Sequence, residues 1–258
     1  ERIVLPRLME VVEDVTALSE ALQPQEAVWF LVLDFVDAFH TFAVHPKERR
    51  FLTAKHPGGG FVVYHTVLFG GGACPLVWGR GAAYLGRSGQ SLFDDREARV
   101  EVYVDDPLTV FRGTYAQARR NALTLVLWWA ALGPDISWGK VTFGEKAHWI
   151  GAEISIRHML ELKVSLPQKY VDELDKTNEE ILNSASVPLK VLQRHAGRNS
   201  WAAGIVPVIG SQLQCVWAAM ADAINGTAGA DEAVEERAPK RAKRERKRRA
   251  RQSASWSI

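Results

Sequence analysis

The sequence predicts an α+β fold, with an antiparallel sheet and flanking helices over residues 1–156, a small helical bundle over 157–224 and a disordered basic tail over 225–258. Two observations predict this order. Short apolar runs alternate with helical patterns in the first part, and three amphipathic helical patterns dominate the second. The tail consists mainly of small and charged residues, a composition that is typical of disorder.

Composition is that of an ordinary globular protein, with 47% apolar and 24% charged residues among 258. No apolar run reaches the ~20 residues that a membrane-spanning helix needs, so we expect no membrane association. The two cysteines, Cys74 and Cys215, are too few for a disulfide framework, which favours an intracellular protein with reduced thiols. Because the first residue is Glu1 rather than Met, we expect a fragment or a processed piece.

The first elements are a helix and a buried strand. Apolar residues recur at helical spacing over 6–22, and a continuous apolar run over 28–35 is interrupted only by Asp34. Such a run is typical of a central strand that is covered on both faces. An isolated carboxylate at the end of this strand is costly to desolvate unless it is paired or bound to a metal.

Hairpins and helices follow in the order that the patterns predict. The predicted hairpins pair 50–55 with 61–66 and 100–104 with 108–111. Short strands are expected within 136–166, and helices over about 75–92, 114–132, 167–183, 188–203 and 208–224. Thr114 is the expected N-cap of its helix, and Gly133-Pro134 the expected stop.

The candidate site consists of two acidic strand ends, Asp34 with Asp37 and the adjacent pair Asp105-Asp106. If the strands are neighbours, Asp34, Asp105 and Asp106 converge, and carboxylates that close cannot all ionise without a cation. Mg²⁺ prefers carboxylates, phosphates and water, and two such ions can stabilise both reacting oxygens of a displacement at phosphorus. This pattern predicts phosphoryl or nucleotidyl transfer. Taken alone, Asp105-Asp106 is also compatible with an ordinary turn, because Asp favours turns.

Five segments resemble, in order, the motifs of reverse transcriptases. Residues 34–39 (DFVDAF) look like motif A, and residues 103–106 (YVDD) look like the YxDD box of motif C. Residues 69–75 (FGGGACP) look like motif B, Leu132-Gly133 followed by Lys140 resembles motif D, and residues 149–151 (WIG) resemble motif E. The resemblance covers residues 29–156 and implies a polymerase palm with a partial fingers hairpin at 50–66, followed by a thumb-like or connection-like region.

The resemblance also implies roles for single residues. Asp34 and Asp105 would bind two Mg²⁺ ions, with Mn²⁺ as an alternative, and Asp106 would assist. The ring of Phe39 would act as a steric gate that excludes a 2′-hydroxyl. Lys140 would neutralise or protonate the departing pyrophosphate. Four further residues are expected to line the nucleotide site: Asp37, Ala38, Gly70 and Tyr103.

The implied function is that of an RNA-directed DNA polymerase, a nucleotidyltransferase of a retrotransposon-type element. Its partners would be an RNA or DNA template with a primer, and deoxynucleoside triphosphates. Two departures stand against an active enzyme. Leu68 lies where many relatives have proline, and only 33 residues precede Asp34, so the first fingers strands are expected to be missing and the chain to be N-terminally truncated. A catalytically inactive remnant that binds nucleic acid is therefore the alternative, and a two-metal nuclease is a third hypothesis.

The tail carries a dense positive charge. Between Arg237 and Arg251 there are ten Lys or Arg residues and one acid, Glu245. A basic run of this kind predicts affinity for polyanions or a nuclear-import signal, and a nuclear location is one alternative that follows. A frame-shifted terminus with a basic composition by chance is the other interpretation.

Overall fold

The computed structural model describes residues 4–20, 22–157, 161–184 and 186–237. Contacts divide the chain into two compact units, Glu1–Pro167 and Gln168–Ile258. All strands that the structure describes lie in the first unit. This includes the strand Glu161–Ser165, which follows residue 156 and pairs with the strand Ala152–Arg157. The functions assigned to the three predicted parts of the chain stay predictions.

The first unit has the predicted α+β composition. Its helices are α1 (Leu8–Ser19), α2 (Cys74–Gln90) and α3 (Tyr115–Leu132). Its strands are β1 (Ala27–Val32), β2 (Thr53–Lys55), β3 (Phe61–Val63), β4 (Ala98–Tyr103), β5 (Asp106–Gly113), β6 (Thr142–Gly144), β7 (Lys146–Trp149), β8 (Ala152–Arg157) and β9 (Glu161–Ser165). Each helix and hairpin that the sequence predicts before residue 136 is present, with ends shifted by a few residues.

A four-stranded antiparallel sheet in the order β4-β5-β1-β6 forms the centre of this unit. In its register, Val32 near the end of β1 lies opposite Leu108, and Tyr103 lies opposite Asp106 across the hairpin. The end of β1 therefore reaches the turn between β4 and β5. Two smaller sheets, β2-β3 and β7-β8-β9, complete the strands.

Both faces of the central sheet are covered, which explains the continuous apolar sequence of β1. Alternate side chains of β1 enter opposite cores, because successive residues of a strand point to opposite faces. One core contains α2 and α3 residues packed on Leu31 and Phe111, and the other contains α1 residues packed on Phe30 and Leu108. Trp129 of α3 is fully buried, so we expect its truncation to alanine to cost about 3–5 kcal/mol.

Small residues let α2 approach its neighbours closely. A side chain at Gly89 would lie 2.8 Å from the Leu125 Cδ1 atom of α3, and one at Gly81 would collide with the ring of Phe42. Near the same point the Trp129 indole donates a hydrogen bond to the Leu85 carbonyl over 3.1 Å. The glycines of α2 therefore set how near this helix lies to the rest of the core.

Helix α3 begins and ends as its sequence predicts. The Thr114 side chain accepts a hydrogen bond from the Gln117 N–H, and the Gln117 side-chain oxygen accepts one from the Thr114 N–H. The two bonds together form a capping box. Gly133 ends the helix with a φ of 102°, a left-handed conformation that favours glycine.

The described residues of the second unit form three helices, α4 (Gln168–Leu182), α5 (Leu189–Ala203) and α6 (Val208–Arg237). The Tyr170 hydroxyl donates to the Arg198 carbonyl, and its ring lies 4.8 Å from that of Trp201, so α4 is fixed against α5. The prediction that disorder begins at residue 225 is wrong for its first part, because α6 continues to Arg237. Ala and Glu, which are strong helix formers, are frequent in that stretch. The rest of the predicted basic tail, residues 238–258, lies outside the described residues.

Across the described part of the chain, no helix has both the length and the apolar character needed to cross a membrane.

The packing of α1 beside the edge strand β4 brings several acids together. The Arg99 guanidinium lies 3.8 Å from an Asp14 oxygen and 3.4 Å from an Asp95 oxygen. Burial raises the pKa of Asp14 to about 6 and, together with the negative charges of Asp14 and Glu10, that of Glu101 to about 7. This part of the structure is therefore sensitive to pH.

We expect Glu101→Gln to remove part of this pH dependence. The native state binds the Glu101 proton more tightly than the unfolded chain does, so its stability falls as pH rises from about 4.5 to about 7. The variant should match the wild type at pH 4.5 and exceed it at pH 8, by on the order of 1 kcal/mol after solvent screening. Urea unfolding at both pH values measures this difference. The exposed Glu161→Gln is the control, and a wild type that is more stable at pH 8 than Glu101→Gln would contradict the prediction.

Candidate active site

Backbone hydrogen bonds hold the segment around Asp34 between two loops. On one side, Phe35 donates to the Asp105 carbonyl over 3.0 Å. On the other, Ser137 donates to the Asp34 carbonyl over 2.9 Å, and Val36 donates to the Asp135 carbonyl over 2.8 Å. Asp34 is thus fixed next to both the β4–β5 turn and the loop after α3, although these segments are far apart in sequence.

Two tryptophan side chains fix the β4–β5 turn from opposite cores. The Trp78 indole donates to the Val104 carbonyl over 2.9 Å, and the Trp149 indole donates to the Asp106 carbonyl over 2.8 Å. Val104 has a φ of 54°, which is strained for a β-branched residue. Strain of this kind persists only where surrounding contacts over-determine the backbone, and the two indoles supply such contacts.

The three acids that the sequence singles out converge at this end of the sheet. The carboxyl group of Asp106 lies near those of Asp105 and Asp34. Burial, together with the negative charges of Asp105 and Asp34, raises the pKa of Asp106 to about 6. The site therefore carries more negative charge than its own surroundings stabilise.

Lys140 supplies a positive charge to this group. Its ammonium lies 3.0 Å from an Asp34 carboxylate oxygen, and the hydrogen bond to Asp34 raises the pKa of the lysine. The lysine belongs to a short 3-10 turn, Trp138–Lys140, at the end of the loop that is bonded to Asp34. Because the side chain is 66% exposed, the ion pair contributes little to stability and its lysine can leave at little cost.

The residue types fit a magnesium site, whereas a ready-made set of three ligands is not formed. Mg²⁺ prefers carboxylate oxygens, and burial together with the negative charges of Asp105 and Asp34 raises the pKa of Asp106, an effect that a bound cation would oppose. Within the described residues, no three His, Cys, Asp or Glu side chains are grouped so that they could hold a metal ion. Lys140 instead provides the cation at Asp34.

The residues expected beneath the incoming sugar are mostly covered. Asp37 is exposed, has a φ of 46° and begins a short 3-10 turn, Ala38–Thr41. Ala38 and Phe39 are only 4% and 9% exposed. The Phe39 ring meets that of Phe69 edge to face, with centroids 5.4 Å apart. A steric gate needs a free ring edge, so this role for Phe39 stays a prediction, and Phe69 would have to move for it.

For Gly70 and Tyr103, the structure shows their local surroundings but no contact that defines a nucleotide site. Gly70, with a φ of 96°, is exposed and belongs to the glycine-rich segment before α2. The Tyr103 ring packs against Trp149 at 6.1 Å, in the core that α1 covers. Their nucleotide contacts stay predictions.

The indole hydrogen bonds of Trp78 and Trp149 were not predicted. Trp149 was predicted only as part of a segment that resembles motif E. The available signal was chemical, because a buried indole N–H almost always needs a partner.

Comparison with known proteins supports the fold but not a family. No protein-family model matches the sequence, and no curated protein matches it. Three solved structures of a foamy viral protease-reverse transcriptase are similar. The complex of its dRH form with double-stranded DNA matches at a TM-score of 0.57 and 16% identity, over 80% of this chain and 32% of that chain. The complex with an RNA/DNA hybrid gives 0.53 and 15%, over 77% and 25%. A further complex with double-stranded DNA gives 0.52 and 15%, over 77% and 36%. The chain therefore has a reverse-transcriptase-like fold and spans between 25% and 36% of those chains.

We expect Trp149→Phe to loosen the acidic turn specifically. The substitution leaves the Asp106 carbonyl without its donor and should lower the free energy of unfolding by about 2 kcal/mol. Hydrogen exchange at residues 104–106 should become faster. Trp129→Phe is the matched control, because that buried indole also bonds to a backbone carbonyl, but within α2. Equal acceleration of exchange at the turn in both variants would show that Trp149 has no special role there.

Proposed function

We propose that this chain is the palm-containing part of an RNA-directed DNA polymerase, which transfers deoxynucleotides to a primer 3′-hydroxyl on a template. The observation that carries the proposal is the convergence of Asp34, Asp105, Asp106 and Lys140 at one end of the central sheet. The reverse-transcriptase-like fold and the order of the five motifs support it. The retrotransposon-type origin rests on the resemblance of the motifs alone.

The chemistry follows from the charges of the site. Asp34 and Asp105 would hold two Mg²⁺ or Mn²⁺ ions, with Asp106 as the assisting carboxylate, and the bound metal would stabilise the attacking and leaving oxygens at phosphorus. Nucleotidyl transfer depends mainly on such positioning and charge stabilisation. The Trp78 and Trp149 indoles would keep the turn from moving as the charges change.

In the proposed reaction, Lys140 would contact first Asp34 and then the departing pyrophosphate. In the structure it neutralises Asp34, and its exposed side chain is free to reorient toward the departing pyrophosphate. An ammonium group there would stabilise the developing negative charge or donate a proton to it.

An exposed face of α5 supports nucleic acid as a partner. Lys190, Arg194, Gly197 and Trp201 follow one another at helical spacing and are all exposed. A side chain at Gly197 would meet nothing within 4 Å. Cationic residues contact phosphates, aromatic rings contact sugars or bases, and an exposed glycine lets a backbone approach closely. This face, named here the α5 stripe, therefore suits a nucleic-acid strand or duplex.

A catalytically inactive protein that binds nucleic acid is the second candidate. Two observations favour it over an active polymerase. Phe69 covers the Phe39 ring, and the ammonium of Lys140 lies on Asp34, where the proposed chemistry needs a metal. Deoxynucleoside triphosphates as substrates belong to the first candidate only.

Primer extension on an RNA template decides between the two candidates. With Mg²⁺ and deoxynucleotides, the wild-type chain should extend the primer. Asp34→Asn and Asp105→Asn should each lower the rate at least about a hundred-fold, because metal and charge stabilisation are lost. Asp175→Asn, an exposed acid of α4, is the control. A wild type that binds the template-primer without extending it would establish the second candidate, and degradation of the primer would indicate a nuclease.

The α5 stripe should determine the salt dependence of binding under either candidate. In the double variant Lys190→Ala/Arg194→Ala, the slope of log K against log salt should decrease in magnitude by about 2, one for each lost phosphate contact. Fluorescence anisotropy with a labelled duplex between 50 and 200 mM salt measures this slope. The control is Lys169→Ala/Lys176→Ala, which removes two exposed lysines of α4. An unchanged slope in the first variant would exclude the stripe from the interface.

A further inference from the structure

The outer edge of β4 is hydrogen-bonded to a planar amide group, the side chain of Gln90. The Gln90 carboxamide donates to the Ala98 carbonyl over 3.0 Å and accepts from the Val100 N–H over 2.9 Å. One flat group with a neighbouring donor and acceptor thus occupies the place of a missing strand. Since β4 lies at the end of the sheet order, its outward backbone groups have no strand to bond with.

The next outward pair along β4 is the Val100 carbonyl and the Val102 N–H. In an antiparallel ladder, alternate residues direct both backbone groups toward or away from the partner strand. Because the Val100 N–H points away from β5 to Gln90, that of Val102 points the same way. Within the described residues, no hydrogen bond to this second pair is observed, and Gln90 is already engaged with the first pair.

A cavity of about 480 Å³ lies against this part of β4, within the size range of small-molecule sites. Its walls are mainly apolar. Small residues of α2, including Ala82, Ala83 and Gly86, form one wall, and Val100 and Val102 lie on another. Three residues with ionisable side chains, Glu10, Arg87 and Glu101, also line the cavity.

We propose that this cavity binds a planar nitrogen heterocycle of the nucleobase class that carries a neighbouring N–H donor and ring acceptor. Its donor would bond to the Val100 carbonyl and its acceptor to the Val102 N–H, as the Gln90 carboxamide does one step earlier. The cavity volume is sufficient for a flat ring beside the strand. Two acidic residues line the cavity against one basic residue, Arg87, so we expect a base or nucleoside to bind better than a nucleotide. None of the proposed catalytic acids lines this cavity, although Phe39 of the proposed nucleotide site and Val104 beside Asp105 do. The proposal does not depend on the proposed function.

An extended peptide that adds to the edge of β4 is the competing occupant, and the geometry disfavours it. Strand addition draws its affinity from a row of backbone hydrogen bonds. Gln90 blocks the first half of the row, and the turn at Val104 ends it. Only a short length of backbone is left, which matches a single flat group.

A titration of the ¹⁵N-labelled full chain with 9-methyladenine tests the proposal. The Val102 amide resonance should shift. The analogue 9-methyl-6-dimethylaminopurine, which lacks the exocyclic N–H, should bind at least ten-fold more weakly, and adenosine 5′-monophosphate should also bind more weakly than adenosine. Ala83→Phe fills the cavity from an exposed helical position and should abolish binding, whereas Ala131→Phe, at an exposed position of α3, should not. Val102→Pro removes the N–H donor at an edge position that tolerates proline and should weaken binding at least ten-fold.

The same measurements define failure. The proposal is overturned if millimolar 9-methyladenine leaves the Val102 amide unshifted, or if Ala83→Phe binds it as tightly as the wild type. Equal affinity for the dimethylated analogue would exclude the donor–acceptor recognition. A short extended peptide that shifts the Val102 amide, where the purine does not, would assign the edge to strand addition instead.

Discussion

The repulsion among three carboxyl groups at one end of the central sheet is the constraint on which the rest of the first unit depends. Asp106 lies near both Asp105 and Asp34, and burial together with their negative charges raises its pKa. Separating them by a shift of β1 would be electrostatically favourable. The antiparallel register, with β1 paired to β5 over its whole length, prevents that shift, because a one-residue slip would turn every core side chain toward the wrong face.

The surrounding structure holds the turn with groups that carry no charge. Two indole N–H groups, from opposite cores, donate to backbone carbonyls on either side of Asp105. Such donors fix the backbone without neutralising the carboxylates, so a cation would still be electrostatically favourable at the acids. A buried arginine in their place would hold the turn and also neutralise the acids. The choice of tryptophan therefore keeps the site rigid and electrostatically open.

Much of this arrangement could be predicted from the sequence, because it depends on local patterns. The apolar run that ends at Asp34, the Asp105-Asp106 turn and the Thr114 and Gly133 helix ends are each encoded within a few residues. Contacts that join distant segments were not predictable in this way. The hydrogen bonds of the Gln90 carboxamide to β4 and the packing of the Phe69 ring on Phe39 depend on tertiary structure. Helix α6 extends past its predicted end for another reason, because a charged, Ala-rich sequence is compatible with both a helix and a disordered tail.

The charge balance links the groups of the candidate site into one equilibrium. A single ammonium, that of Lys140, faces three carboxyl groups, and burial together with the charges of Asp105 and Asp34 raises the pKa of Asp106 to about 6. Under the proposed function, metal binding would have to displace a proton from Asp106 where one is bound, and free Asp34 from Lys140. Metal affinity should then rise with pH in this range, since the proton and the cation compete for the same oxygens. The exposed Lys140 would become available for the substrate only when a metal ion replaces it at Asp34. Its position at Asp34 and its position at the substrate would therefore both depend on whether the metal is bound.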